Sequence, residues 1–498
     1  MLGVGDDVEA GSPGAHLTST VVGWLSCIWR GRSQVVTATQ EDVTGRLLRE
    51  AWSALGGEMN LLGLVETTGD GAGLLPSTLP VLPAMLAAAA ASTLAASVLD
   101  ASRHAGPPPR PILIDAEHVA VAARSERYAR MEGDGEPDDP FAPLSRFWRT
   151  ADGWLRLHAN YAWHRERALS VLACEDRPEA VAAAIESWRG EELEDALAAA
   201  GGVGYAVRRA QDWRLHPQGQ AVAMLPLLDH VAGSGPGRNI GAGRVAAGLR
   251  VLDLTRVIAG PVATRTLAAW GAEVLRLDSP HLPEIPAQAL DTLPGKRSAL
   301  LDFSEPAGRA RLEELLAVSD VLVQGYRPGA LAHFGLAPNA LLERHPHLSV
   351  MTLSAWGATG PWAGRRGFDS LVQCPTGIAV AEGADGKPGA LPAQALDHAT
   401  GYLAAAAALL AVAAVQRGEP PRSVRLSLAQ TARWLTGAGT VERQAQREAR
   451  SQGYMVMLTG AARPVHVVGP PGRVGDLLPE WSSTTELGSD RPSYVGET

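Results

Sequence analysis

GLRVLDLTRVIAGPVATRTLAAWGAEVLRLD, residues 248–278, decides the fold. LRVLDLT (249–255) is a short, largely apolar run of the length of a buried strand. AGPVATRTLAAWGA (259–272) reads as a helix with proline in its first turn, where a missing N–H breaks no helical bond. EVLRLD (273–278) reads as a second strand. Strand, short loop, helix and strand within about 30 residues make a βαβ unit, the connection that parallel neighbours require. The alternation continues through SALLDF (298–303), PAGRARLEELLAVS (306–319), DVLVQGY (320–326), PNALLERHP (338–346) and LSVMTLSAW (348–356). The expected fold is α/β: a large domain with a doubly wound parallel sheet, accompanied by a smaller α+β domain.

At 498 residues the chain is too long for one simple core. Its 44 Lys and Arg against 53 Asp and Glu leave a net charge of −9, which argues against a general nucleic-acid binder. Cys27, Cys174 and Cys374 lie far apart without metal-ligand spacing, which fits a reducing cytoplasm better than a disulfide framework. Asp6, Asp7 and Glu9 precede any lysine or arginine, unlike a signal peptide, and TVVGWLSCIW (20–29) is too short to span a bilayer. No membrane association is expected, and the alanine-rich stretches read as buried helices.

The segments around the large domain have an unusual order. Residues 1–45 read as a leader without clear period, and 46–70 carry a helical pattern. LLPSTLPVLPAMLAAAAASTLA (74–95) resembles LPAQALDHATGYLAAAAALLAV (391–412), with Leu86 falling on Leu403, 317 positions on. A strand-like segment follows each, at 112–123 and 423–435, so 46–135 reads as a partial copy of the large domain. In this register Pro80 stands where the second stretch has Asp397. EGDGEPDDP (132–140) is an acidic linker. A small α+β domain is expected over 140–225, beginning with a hairpin turned at Ala151-Asp152-Gly153 and continuing with helices near 162–173, 177–188 and 190–200. Residues 226–246 form a glycine-rich linker, 247–440 the nucleotide-binding-like large domain, and 441–498 a tail.

The loop after the first strand, TRVIAGPVAT, lacks the G-x-G-x-x-G pattern, which argues against NAD or FAD. Four blocks in order resemble the class III CoA-transferases, the family of formyl-CoA and carnitine CoA-transferases: residues 248–278, 295–331, 348–378 and 395–412. The resemblance implies an acyl-CoA transferase moving CoA between an acyl-CoA thioester and a carboxylic acid, through aspartyl anhydride and aspartyl-CoA intermediates. It places the catalytic aspartate on Asp397 and CoA-binding positions on Arg256, Ile258, Ala259, Gly325, Tyr326, Arg327, His333 and Arg366. It implies coenzyme A and acyl-CoA as substrates, no tightly bound cofactor, no metal, and a homodimer interlocked like chain links. This sequence has Gly325 and Tyr326 where the family more often has asparagine and phenylalanine.

On its own, Asp397 reads more readily as a helix N-cap, a role worth roughly 1 kcal/mol, than as a reacting group; the resemblance reverses that preference. A racemase on the same scaffold is an alternative. It needs proton-transfer groups on both faces of the α-carbon, and where racemases carry Gly-His-Asp this chain has Gly367-Phe368-Asp369. A second alternative is a CoA-binding subunit without catalysis, motivated by the copy that lacks the aspartate. The first copy reads as a structural relic, and residues 140–225 are expected to pack beside Asp397, in cis or from a second chain.

Overall fold

Six short strands, joined in turn by five crossovers too long for a hairpin, pair in parallel. They are Arg250–Leu254 (β1), Glu273–Asp278 (β2), Lys296–Leu300 (β3), Val321–Gln324 (β4), Ser349–Ser354 (β5) and Arg422–Ser427 (β6). Their order across the sheet is β3-β2-β1-β4-β5-β6, and Asp229–Ala232 adds an antiparallel edge to β6. The order reverses between β1 and β4, and doubly wound sheets bind ligands beyond the carboxyl ends of the strands at such a reversal. This computed structural model describes residues 42–104, 107–135 and 141–496. The expected leader up to residue 41, Cys27 with it, and 136–140 of the acidic linker lie outside the described residues.

β3 starts at Lys296, two residues before the expected SALLDF, because this lysine points into the core. Its Nζ donates to Asp253 Oδ2 at 2.9 Å, to Thr264 Oγ1 at 2.6 Å and to Pro261 O at 3.2 Å. The bonds tie β3 to β1 and to the helix Ala259–Ala269. Lys296→Met leaves the buried Asp253 carboxylate without its ammonium and is expected to cost about 3–5 kcal/mol in urea unfolding.

The two alanine stretches are both 22-residue helices, Val81–Ser102 and Ala395–Gln416. Each is long and apolar enough to cross a membrane, yet both are mostly buried in the fold and pack on one another. Their starts share one backbone conformation: Pro80 has φ −75°, ψ 62° and Gln394 φ −78°, ψ 62°. Aligning the starts, Val81 with Ala395, gives a shift of 314 positions rather than 317. Pro83, not Pro80, then lies opposite Asp397. A run of identical alanines carries no register, so the sequence match slid by almost one helical turn. Neither proline can supply a carboxylate.

The helical pattern expected over 46–70 is only partly present. Helix Val43–Ala54 is followed by a 3-10 turn, Met59–Leu64, and a four-residue strand, Val65–Thr68. A strand that short shows no readable period. It pairs in parallel with Ile112–Asp115, as β5 pairs with β6. Residues of the tail complete this part: Arg473–Val474 pairs with Ile112 and Leu113, and Val465–Val468 with Arg130–Met131.

Phe147–Arg149, Trp154–Leu157 and Gly204–Ala206 form an antiparallel sheet. Thr150 N–H donates to Gly153 O at 3.0 Å across the turn. Helices Ala162–Leu172, Pro178–Glu186 and Gly190–Ala200 close this unit over a core that includes Leu155, Val181, Ile185 and Leu193.

Candidate functional site

A cavity of about 630 Å³ opens where the turns after β1, β2 and β4 meet. Asp397, Arg256, Ala259, Gly325, Tyr326, Arg327, His333 and Arg366 all line it. Ile258 does not. Its side chain is fully buried in the main core, and its carbonyl accepts the N–H of Val262 at 2.8 Å. The small unit contributes Tyr161, Trp163, His164 and Arg167 to the same lining, all from this chain. The Tyr161 hydroxyl donates to Glu284 Oε1, which ties the small unit to the large domain.

Asp397 is not the cap of its helix. The N-cap is Gln394, whose side chain makes no capping bond. The cap is supplied from afar: Asp369 Oδ2 accepts the N–H groups of Leu396 at 2.8 Å and Asp397 at 3.1 Å. Asp369 therefore uses the helix-end donors that would otherwise stay orphaned. It leaves the Asp397 side chain free for another task.

That side chain is buried, and its Oδ2 has no hydrogen-bond partner among the described residues. Burial, then the negative charges of Asp369 and Glu126, raise its pKa well above the ordinary aspartate value. Asp369 is itself pushed up to about 6 by burial, which its bonds to N–H groups and to Gln373 only partly oppose. The positive end of the helix offsets some of this cost to the anion. Gly401 lets the same helix approach Ala259–Ala269, since a Cβ there would lie 2.6 Å from Ala259 O and 2.8 Å from Val262.

The arginines fall into two kinds. Arg256 is already occupied: its Nη2 donates to Pro283 O at 2.7 Å and faces Glu284 Oε1 at 3.5 Å. Its guanidinium also sits 5.1 Å from the centre of the Tyr161 ring. Arg327 and Arg366, by contrast, have no ion pair among the described residues. Burial, then the charges of Arg327 and Arg167, hold Arg366 below the ordinary arginine pKa. All three border a second hollow of about 360 Å³ beside Gly201 and Gly202. Like charges gathered without counter-ions suit an anionic ligand.

At the racemase position, Phe368 stacks on His158 with ring centres 3.8 Å apart. His164 lies 5.9 Å from the same ring, and its Nδ1 is buried without a partner. Burial, then the charges of Arg366, Arg167 and Arg256, lower its pKa to about 3, so the imidazole is neutral. Sequence reasoning missed the capping role of Asp369 and the roles of Tyr161, His164 and Arg167. The available signal was NYAWHRER (160–167), where His164 and Arg167 stand three apart and share one helical face.

Residues 246–463 match the model of CoA-transferase family III. The probable fatty acyl-CoA transferase Rv3272 of Mycobacterium tuberculosis is 34% identical over 179 residues, 33% of this chain and 45% of its own. An acyl-CoA transferase of Gibberella moniliformis is 31% identical over 286 residues, 52% of this chain and 50% of its own. The human succinyl-CoA:glutarate CoA-transferase is 32% identical over 195 residues, 35% of this chain and 44% of its own. The chain thus spans half or less of the length of these curated relatives. The matched span begins just before β1 and contains the whole parallel sheet and Asp397. Over residues 246–463, somewhat less than half of its length, the chain resembles CoA-transferase family III.

Proposed function

We propose that the chain moves CoA from an acyl-CoA thioester to a carboxylic acid, with Asp397 as the covalent nucleophile. The observation that carries this reading is the buried Asp397 Oδ2, without a partner, in a cavity that Arg327 and Arg366 also line. A carboxylate with a raised pKa is a better nucleophile once ionised, and it needs no displaced hydrogen bond before attack.

The steps follow from carboxylate chemistry. An Asp397 oxygen attacks the thioester carbonyl, and CoA leaves as its thiolate to give a mixed anhydride. The thiolate then attacks the aspartyl carbonyl, releasing the donor acid as a carboxylate and leaving an aspartyl-CoA thioester. The acceptor carboxylate attacks that thioester, again freeing the thiolate, and forms a second anhydride. Attack of the thiolate on the acceptor carbonyl gives the new acyl-CoA and restores Asp397.

Proton exchange at the α-carbon has one observation in its favour, His164 in the same cavity. A base whose conjugate acid has a pKa of about 3 is too weak to share that work at neutral pH. One experiment separates the readings. The full chain is incubated with a panel of acyl-CoA thioesters, quenched with hydroxylamine, and its peptides are weighed. A hydroxamate on Asp397 is the expected result. Loss of an α-hydrogen label to solvent without that adduct would sink the transferase reading in favour of a racemase.

A further inference from the structure

Resting on the assignment of Asp397 as nucleophile, we infer that the nucleophile-free first copy is a positioning element of the second, with Glu126 holding the nucleophile helix through His398. Three consecutive residues of the first copy reach into the large domain. Arg124 Nε donates to Pro392 O at 3.0 Å, in the loop that leads into the nucleophile helix. Ser125 Oγ donates to Asp291 Oδ2 and accepts from Arg265 Nη2, both at 2.8 Å. Glu126 Oε2 lies 3.2 Å from His398 Nε2, and both side chains are buried.

This is a costly way to fill space. Glu126 Oε1 is buried without a hydrogen bond, and Arg127 approaches it only to 3.8 Å. An apolar side chain of similar volume would pack there without desolvating a charge. What the carboxylate provides is direction. His398 is the neighbour of Asp397, and on a helix of 3.6 residues per turn, fixing one residue fixes the rotation of the next. The loop tether at Pro392 and the tether at His398 lie on either side of Asp397 in sequence.

The carboxylate also acts on the reacting group. The charged groups facing Asp397 are Asp369 and Glu126, and His398 faces both of these. The first copy, having no carboxylate of its own at Pro83, places one 3.2 Å from the histidine next to the carboxylate of the second. It is therefore working structure rather than a relic.

The test uses the full chain. Glu126→Gln is compared with the wild type in single turnover, reading the rate of hydroxylamine-trapped adduct, its pH dependence and CoA binding. The adduct is expected to form roughly 10- to 100-fold more slowly, because a small misplacement of a nucleophile carries losses of that size. The acid limb is expected to move to lower pH, since a negative charge facing Asp397 has gone, while CoA binding is unchanged. A purely structural role would not move the limb. A folded Glu126→Gln protein with the wild-type rate and limb overturns the inference. Should that variant not fold, His398→Gln removes the other partner: the adduct is again expected to form more slowly, but the acid limb should not move to lower pH, because Glu126 keeps its charge, and a folded His398→Gln protein with the wild-type rate overturns the inference. Wild-type protein that binds acyl-CoA but yields no adduct overturns the Asp397 assignment itself, and the positioning role with it.

Discussion

Asp397→Asn is expected to abolish turnover and to stabilise the fold. The amide matches the carboxylate in shape but has no anionic oxygen to attack a thioester, so transfer should fall by roughly 10³-fold or more, and the trapped adduct should vanish. The stability effect has the opposite sign. Asp397 holds its proton more tightly in the folded chain than in the unfolded one, because burial, Asp369 and Glu126 all disfavour the anion. Between the ordinary aspartate pKa and the raised one, the folded state binds more protons than the unfolded state, and stability falls as pH rises. Asparagine has no such proton. The variant should therefore match the wild type in acid, below the unfolded aspartate pKa, and exceed it above the raised pKa by about 1–3 kcal/mol, the cost of an unsatisfied buried group. Urea unfolding in a pH series rising from about pH 3 checks the sign, because charge and stability are linked. An inactive variant that is less stable at the upper end of the series would mark Asp397 as a structural residue.

The parallel sheet was legible because each strand is a short apolar run and each crossover a helix of ordinary length. Asp397 stood out as the candidate nucleophile because the blocks before it resemble a family, and not from its own neighbourhood, where an acid at a helix start reads first as a cap. The cap turned out to be Asp369, 28 positions earlier, and no local pattern announces a cap from another element. Glu126 was hidden for a similar reason: it sits 272 positions from His398 in a segment read as a relic. The alanine register failed because identical small residues match at any slide. Lys296 was missed at a strand edge because a charged residue there reads as exposed, and its partner Asp253 lies on another strand.

Removing Arg327 and Arg366 together is expected to weaken acyl-CoA binding about 100-fold, at about 1.5 kcal/mol for each charge-assisted hydrogen bond to the ligand that disappears. The KM for acyl-CoA should rise while the turnover number changes little, because these groups lie in the cavity lining and make no bond to the Asp397 carboxylate. The dependence of binding on salt should flatten, since fewer cations remain to be screened. The fold itself should not suffer. Arg366 is disfavoured in the free protein by burial and by Arg327 and Arg167, so the double alanine variant should be as stable as the wild type or slightly more so. Arg256→Ala is the contrasting case. Its guanidinium faces the buried Glu284, and its removal leaves that carboxylate with Arg276 Nη2 at 3.2 Å as its remaining ion-pair partner. This variant should lose both substrate affinity and stability, with thermal unfolding and KM moving together. If Arg256→Ala left stability untouched while the double variant unfolded the chain, the division between an occupied arginine and a waiting pair would be wrong. The anion site would then have to be sought elsewhere in the cavity.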